Sequence, residues 1–176
     1  MMIIGLLFIV ISTSGCFSTS INNTGSPGQV EKFSSYGVSF YYPANWQVSV
    51  SNYDDSKTIV VSKDYFTQLE ILITPNFGIS EEGMLHEKNN TITPGWNKIS
   101  NDTIIIDNQT AYRSIFIGNE IYFLFKEMRH EDITFLRNNN TYSLLITVPT
   151  KEYAEDKQNF ETILNSIHVQ RVEGFE

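Results

Sequence analysis

Tyr36-Gly37-Val38-Ser39-Phe40-Tyr41-Tyr42-Pro43-Ala44-Asn45-Trp46 is the stretch on which the fold turns. Val38, Phe40 and Tyr42 alternate with Ser39 and Tyr41, the period-2 pattern of a half-buried strand. Pro43 has no N–H to give to a ladder, so the strand ends there. Trp46, Val48 and Val50 restart the alternation, which plants the indole in the core and predicts a second strand.

The chain around this stretch has 176 residues, enough for one domain with an N-terminal appendage. A domain of this size buries enough surface to need no covalent staple, and the single cysteine, Cys16, rules out an internal disulfide. The formal net charge is -8, with 12 Lys and Arg against 20 Asp and Glu. Nucleic-acid binding rests on clustered basic residues, so that class is excluded, and charge-driven attachment to an anionic membrane is disfavoured. The abundant aromatics (Phe 12, Tyr 9, Trp 2) fit a sheet-rich core.

Residues 1–11 are apolar apart from Gly5 and too few to span a bilayer, which takes about 20. Followed by Ser12-Thr13-Ser14-Gly15, they have the form of a signal peptide over 1–15. Cys16 directly after Gly15 is similar to a lipobox cysteine, whose thiol receives a diacylglyceryl group and becomes the mature N-terminus; the alternatives are an uncleaved anchor or a plain signal peptide with an incidental cysteine. No Lys or Arg precedes the apolar run, and Thr13 stands where leucine is usual. Residues 16–31, rich in Ser, Thr, Asn, Gly and Pro, offer too little apolar surface to offset chain entropy and read as a flexible tether. The folded domain is expected over 32–170 with a short tail at 171–176. Asn-x-Thr sequons at Asn22, Asn89, Asn101, Asn108 and Asn139 fall in segments expected to be loops or turns, so on an exported chain they are candidate glycosylation sites.

Along the body, Thr58–Ser62 and Gln68–Thr74 read as strands, the second stopped by Pro75. Ser80 is placed to cap a short helix through Met84, which Gly83 weakens. Residues 89–101, holding Pro94-Gly95-Trp96, read as a surface connection. Residues 104–106, 111–117, 122–128, 133–137 and 142–148 read as strands, with Asp107-Asn108 and Asn138-Asn139-Asn140 as tight turns. Thr150 is placed to cap a helix whose Tyr153, Phe160, Ile163, Leu164 and Ile167 recur at helical spacing. These elements predict an α+β fold: a central antiparallel sheet of about seven strands covered by helices.

The opening stretch 36–46 resembles the aromatic-Gly-hydrophobic, Tyr-Pro, two residues, Trp start of PsbP-like domains. Phe160-Glu161-Thr162-Ile163-Leu164-Asn165-Ser166-Ile167 resembles their closing helix. The likeness runs over about 33–169 and is specific at its two ends, with prokaryotic PsbP-related lipoproteins the nearest comparison. It implies a PsbP/Mog-like α/β/α sandwich and an accessory role, as at photosystem II or on a small GTPase. Neither of those partners carries over residue by residue.

No Gly-x-Ser-x-Gly, P-loop, Gly-x-Gly-x-x-Gly or His-Glu-x-x-His motif is present, and a lipidated Cys16 is no nucleophile. No catalytic residue, cofactor or metal site is therefore expected. His86-Glu87 and Arg129-His130-Glu131-Asp132 are the tight His and carboxylate groups, the latter read as a solvated turn because three adjacent ligands seldom converge on one ion. Asp54-Asp55 and Asp64 lack the spacing of a calcium loop. Phe77 and Trp96, with Tyr65 and Phe66, sit in or beside connections as candidate surface-binding aromatics, or fold back to cover the sheet. The sequence thus predicts a non-catalytic lipoprotein on the outer face of the cell membrane that docks another envelope protein. The alternative is a small-ligand or metal-ion binding domain of an envelope receptor.

Overall fold

The alternation around Phe40 does make a strand, and its hairpin partner is one that composition hides. The computed structural model describes residues 28–84, 95–119 and 126–170, together with the backbone of 19–21. In chain order the strands are β1 (Thr19–Ile21), β2 (Val30–Ser35), β3 (Val38–Pro43), β4 (Gln47–Tyr53), β5 (Ser56–Ser62), β6 (Gln68–Pro75), β7 (Trp96–Ile106), β8 (Gln109–Asn119), β9 (Glu127–Arg137) and β10 (Asn140–Pro149). Helix α1 (Tyr153–Ser166) and the short β11 (His168–Val169) close the chain.

The strands form two antiparallel sheets. The larger has the order β1-β4-β5-β6-β10-β9-β8-β7, the smaller β11-β3-β2. Val48, Ile59, Val61, Leu69, Ile71, Leu144, Ile146, Ile133 and Phe135 line one face of the large sheet and are all buried. Phe33, Val38 and Phe40 of the small sheet and Phe160, Ile163 and Leu164 of α1 join them in a single core. Helix and small sheet therefore share one face of the large sheet, where alternate strand residues and the helical stripe meet. The aromatic side chains interlock: Phe33 stacks on Phe40 with centroids 5.0 Å apart, and Phe135 on Tyr142 at 4.9 Å.

Two hairpins follow the sequence directly. Asp107-Asn108 (φ 48 and 60) and Asn138-Asn139 (φ 49 and 58) take the left-handed pair of conformations that a two-residue turn between right-twisted strands demands. Ser80 caps helical residues 81–84, its Oγ accepting the N–H of Gly83 at 3.1 Å.

Other expectations are corrected. The central antiparallel sheet expected with about seven strands is present with eight; a second sheet of three strands joins it, and the helical layering of an α/β/α sandwich is met in part. α1 covers one face, and helical residues 81–84 are the other helix among the described residues. Thr19–Ile21 and Val30–Glu31, expected in the tether, pair with β4 and β3, because backbone ladders tolerate polar sequence at a sheet edge. Residues 96–101, expected as a connection, open β7, whose partner β8 supplies the ladder. Asn101 is thus a strand residue. Of the strand expected over 122–128, residues 122–125 lie outside the described residues; β9 begins at Glu127 and runs through the expected turn 129–132, since β8 and β10 pair with it on both sides. Thr150 does not cap α1; the N-cap is Glu152, without a side-chain cap bond, because Thr150 still donates its backbone N–H to the Glu127 carbonyl at the sheet end. The leader, Cys16, Asn22, His86, Glu87 and Asn89 lie outside the described residues.

Candidate functional site

Period-2 geometry puts Arg129, Glu131, Ile133 and Phe135 of β9 on the core face. Two of these four are charged, and the chain must satisfy them. Glu131 is 1% exposed and sits between Ile115 and Ile146 of the neighbouring strands. An unpaired buried carboxylate is costly, and this one is ringed by cations. Arg129 Nε donates to its Oε1 at 2.8 Å, and Arg113 Nη1 stands 3.6 Å from its Oε2. Arg113 in turn holds Asp102, its direct cross-strand neighbour on β7, through two donors at 2.8 and 2.6 Å. That fork lowers the Asp102 pKa and raises that of Arg113, in each case chiefly through the hydrogen bonds between them.

α1 closes the arrangement from above. Tyr153 lays its ring 4.1 Å from the Arg129 guanidinium carbon. Burial, then a hydrogen bond to Glu131, pushes its phenol up to about 12, so it is a neutral donor at ordinary pH. Four and eight residues along the same helical face come Lys157 and Glu161, which pair with one another at 3.6 Å at the solvent rim. These side chains enclose a cleft of ≈ 340 Å³ between α1 and strands β8, β9 and β10, floored by Ile115, Ile146, Phe160 and Leu164.

The cleft is lined by side chains of both charges. Three cations (Arg113, Arg129, Lys157) face three anions (Asp102, Glu131, Glu161), and the side chains that line it include no Ser, Thr, Cys or His to act as nucleophile or as a base near neutrality. Sequence reasoning missed Glu131 by reading 129–132 as a turn. The signal was present in the alternation of Arg129, Glu131, Ile133 and Phe135 with His130, Asp132 and Thr134. It also missed Asp156, buried on α1 and held by Lys63 Nζ at 2.9 Å, a bond that raises the lysine's pKa.

The aromatics named from the sequence separate. Trp96 is half-buried on the other face of the large sheet, stacked on His130 with centroids 3.9 Å apart. It lies over Gly118, where a Cβ would meet the indole Cδ2 at 2.7 Å, so the missing side chain is what makes room for the ring. Trp96 thus folds back over the sheet, the second of the two placements expected for it. Phe77 is 85% exposed and Tyr65 73%, while Phe66 is half-buried with Lys126 Nζ 4.2 Å from its ring centre. Among the described residues no three His, Cys, Asp or Glu gather to hold a metal ion. His130 and Asp132 point to the face opposite Glu131, and Asp64 is occupied in accepting the N–H groups of Phe66 and Thr67 at 2.8 and 2.9 Å. Asn101, Asn108 and Asn139 are exposed.

No protein-family model matches this chain. No curated protein matches it either. Solved structures do. A protein of Bacteroides thetaiotaomicron superposes with a TM-score of 0.58 at 16% identity over 83% of this chain, which spans 50% of that one. The cyanobacterial PsbP (CyanoP) of Synechocystis sp. PCC 6803 gives 0.54 at 13% identity, over 83% of this chain and 98% of that one. The Ran-binding protein Mog1p of Saccharomyces cerevisiae gives 0.51 at 13%, over 86% and 100%. Likeness at such low identity concerns the backbone, and the two named proteins are the two poles of the family that residues 36–46 and 160–167 resemble. The chain has the PsbP/Mog-like fold.

Proposed function

We propose that this chain is a non-catalytic accessory protein of the cell envelope, exported, anchored to the outer face of the membrane through lipid on Cys16, and docking another envelope protein through the cleft beside α1. The observation that carries this reading is the self-neutralised cleft. Its ions are all paired, its lining holds no Ser, Thr, Cys or His, and Lys157 and Glu161 at its rim present a matched charge pair for a partner to exchange with. The same fold in Saccharomyces cerevisiae belongs to a Ran-binding protein, which favours a docking use of the scaffold.

The test is site-specific photocrosslinking at residue 154, one helical turn from Lys157 and exposed, in native membranes, using the full chain with and without Lys157→Glu. A discrete crosslinked partner that disappears with the reversal is expected, and Cys16→Ser should move the protein out of the detergent phase. A crosslinking pattern indifferent to Lys157 would overturn the docking site; unchanged partition of Cys16→Ser would overturn the anchor.

A second reading, a small-ligand site, is favoured by one observation. The ≈ 340 Å³ cleft with converging polar groups falls within the usual range for ligand pockets of about 300–1,000 Å³. Thermal stabilisation of the full chain by a small dicarboxylate, lost in Arg129→Gln, would select it.

A further inference from the structure

The strand registers bring five connections to one end of the molecule. Turns 36–37, 54–55, 107–108 and 138–139 meet there, with residues 76–79 beyond β6. Short bonds tie the end together. Asn76 donates its N–H to the Asn139 carbonyl at 2.9 Å, Gln170 to the Gly37 carbonyl at 2.8 Å, and Asn138 Nδ2 to the Gln170 carbonyl at 2.9 Å. All six non-glycine residues with positive φ among the described residues lie in these turns: Tyr36, Asp54, Asp107, Asn108, Asn138 and Asn139. Two-residue turns of this kind are stiff, so the side chains they carry are held outward.

The turns themselves carry mainly Asp and Asn, yet large apolar side chains stand exposed beside them. Of the nine large hydrophobic residues exposed among the described residues, five stand at this end: Tyr36 (43%), Tyr53 (74%), Phe77 (85%), Ile79 (42%) and Ile105 (65%). They are dispersed, not clustered. Tyr53 ends β4 and Ile105 lies near the end of β7, six strand steps apart in the sheet order, which is about 30 Å at about 4.8 Å per step. A protein partner needs a contiguous patch. A lipid interface accepts side chains one at a time, and Tyr and Phe are the residues that settle there.

The chain's own path says which surface meets this end. β1 runs antiparallel to β4, with Thr19 opposite Val50 and Ile21 opposite Val48, so the polypeptide comes into the domain from the turn end. Cys16 precedes Thr19 by three residues, a reach of at most about 11 Å, and Tyr53 lies three strand positions beyond Val50.

We infer that the turn end, through Tyr36, Tyr53, Phe77, Ile79 and Ile105, rests on the bilayer surface and fixes the domain's orientation on the membrane. The inference rests on the lipid reading of Cys16. Asp54 and Asp55 are exposed at the same end, so the surface is a zwitterionic one and the contact is made by apolar side chains. α1 begins at the opposite end, which leaves the cleft facing away from the lipid. Asn108 and Asn139 would meet the bilayer and carry no glycan.

The experiment uses the full lipidated chain in phosphatidylcholine vesicles, with an environment-sensitive fluorophore at Tyr53→Cys, Phe77→Cys or, at the far end, Lys151→Cys. Doxyl-labelled phosphatidylcholine is the quencher. Quenching at 53 and 77 and none at 151 is the expected result. Equal quenching at all three sites, or none at any while the protein floats with the vesicles, overturns the orientation and leaves the anchor standing. Failure to float at all overturns the anchor, and the inference falls with it. A glycan on Asn108 or Asn139 of the native protein overturns the inference alone.

Discussion

The indole of Trp46 meets the ring of Phe160 edge-on, with centroids 5.3 Å apart and planes at 78°. One residue ends the opening motif and the other begins the closing one, so this contact joins the two segments that carry the family likeness. Both are buried, at 1% and 2% exposure. Trp46→Ala is expected to cost about 3–5 kcal/mol, and Phe160→Ala a similar amount. The double variant should show a coupling of about 0.5–1.5 kcal/mol in a denaturation cycle. A Trp46→Ala midpoint close to wild type would mean that the ring is not part of the core.

Removing Glu131 tests the buried network. Its carboxylate accepts from Arg129 Nε and stands in ion-pair range of Arg113, so Glu131→Ala takes that acceptor from Arg129 over an apolar floor while Arg113 keeps Asp102. A loss of about 3–5 kcal/mol is expected, as for a buried pair deprived of one partner. Chemical denaturation measures it; a change under about 1 kcal/mol, the range of a solvated surface pair, would contradict the buried arrangement.

Gly118 is a packing glycine. Added as Gly118→Ala, a Cβ would stand 2.7 Å from Trp96 Cδ2 and 2.8 Å from the Gly95 carbonyl oxygen, and backbone cannot give way as a flexible side chain does. Overpacking of this kind costs about 1–3 kcal/mol. The indole should also move off His130, seen as a red shift of the Trp96 emission in a Trp46→Phe background.

His130 confers a dependence on pH. Burial lowers its pKa from 6.5 to about 4, with Asp132 acting weakly in the opposite direction. A base whose folded-state value lies below its unfolded one stays neutral in the fold, so the unfolded chain takes up the proton first. This contribution is full above pH 6.5 and is lost as pH falls toward 4, at up to about 1.4 kcal/mol per unit. His130→Phe keeps an aromatic face for Trp96 and should flatten the stability profile over that window. A profile as steep as wild type would assign the acid sensitivity to other groups.

Much of the sheet was legible because its strands carry their own signals. Val38-Ser39-Phe40-Tyr41-Tyr42 alternates, and the Asn-rich turn at 138–139 announces a hairpin, both through local backbone preference. β2 was not, because Val30–Ser35 buries only Phe33 and gains its place from pairing with β3. The place of Trp96 at the start of β7 was hidden for a related reason. Pro94-Gly95 marks a connection, and nothing nearby reveals that a side-chain-free position at Gly118, more than twenty residues on, lies under the ring.

By itself the sequence determined the antiparallel character of the fold, its closing helix and the motifs at its two ends, since each depends on residues a few positions apart. Which residues face one another across strands was decided only in three dimensions. Glu131 between two arginines, the cleft under Tyr153, and the gathering of Tyr53, Phe77 and Ile105 at one end all follow from register. Register is set by the summed burial of the whole sheet, and no single segment encodes it.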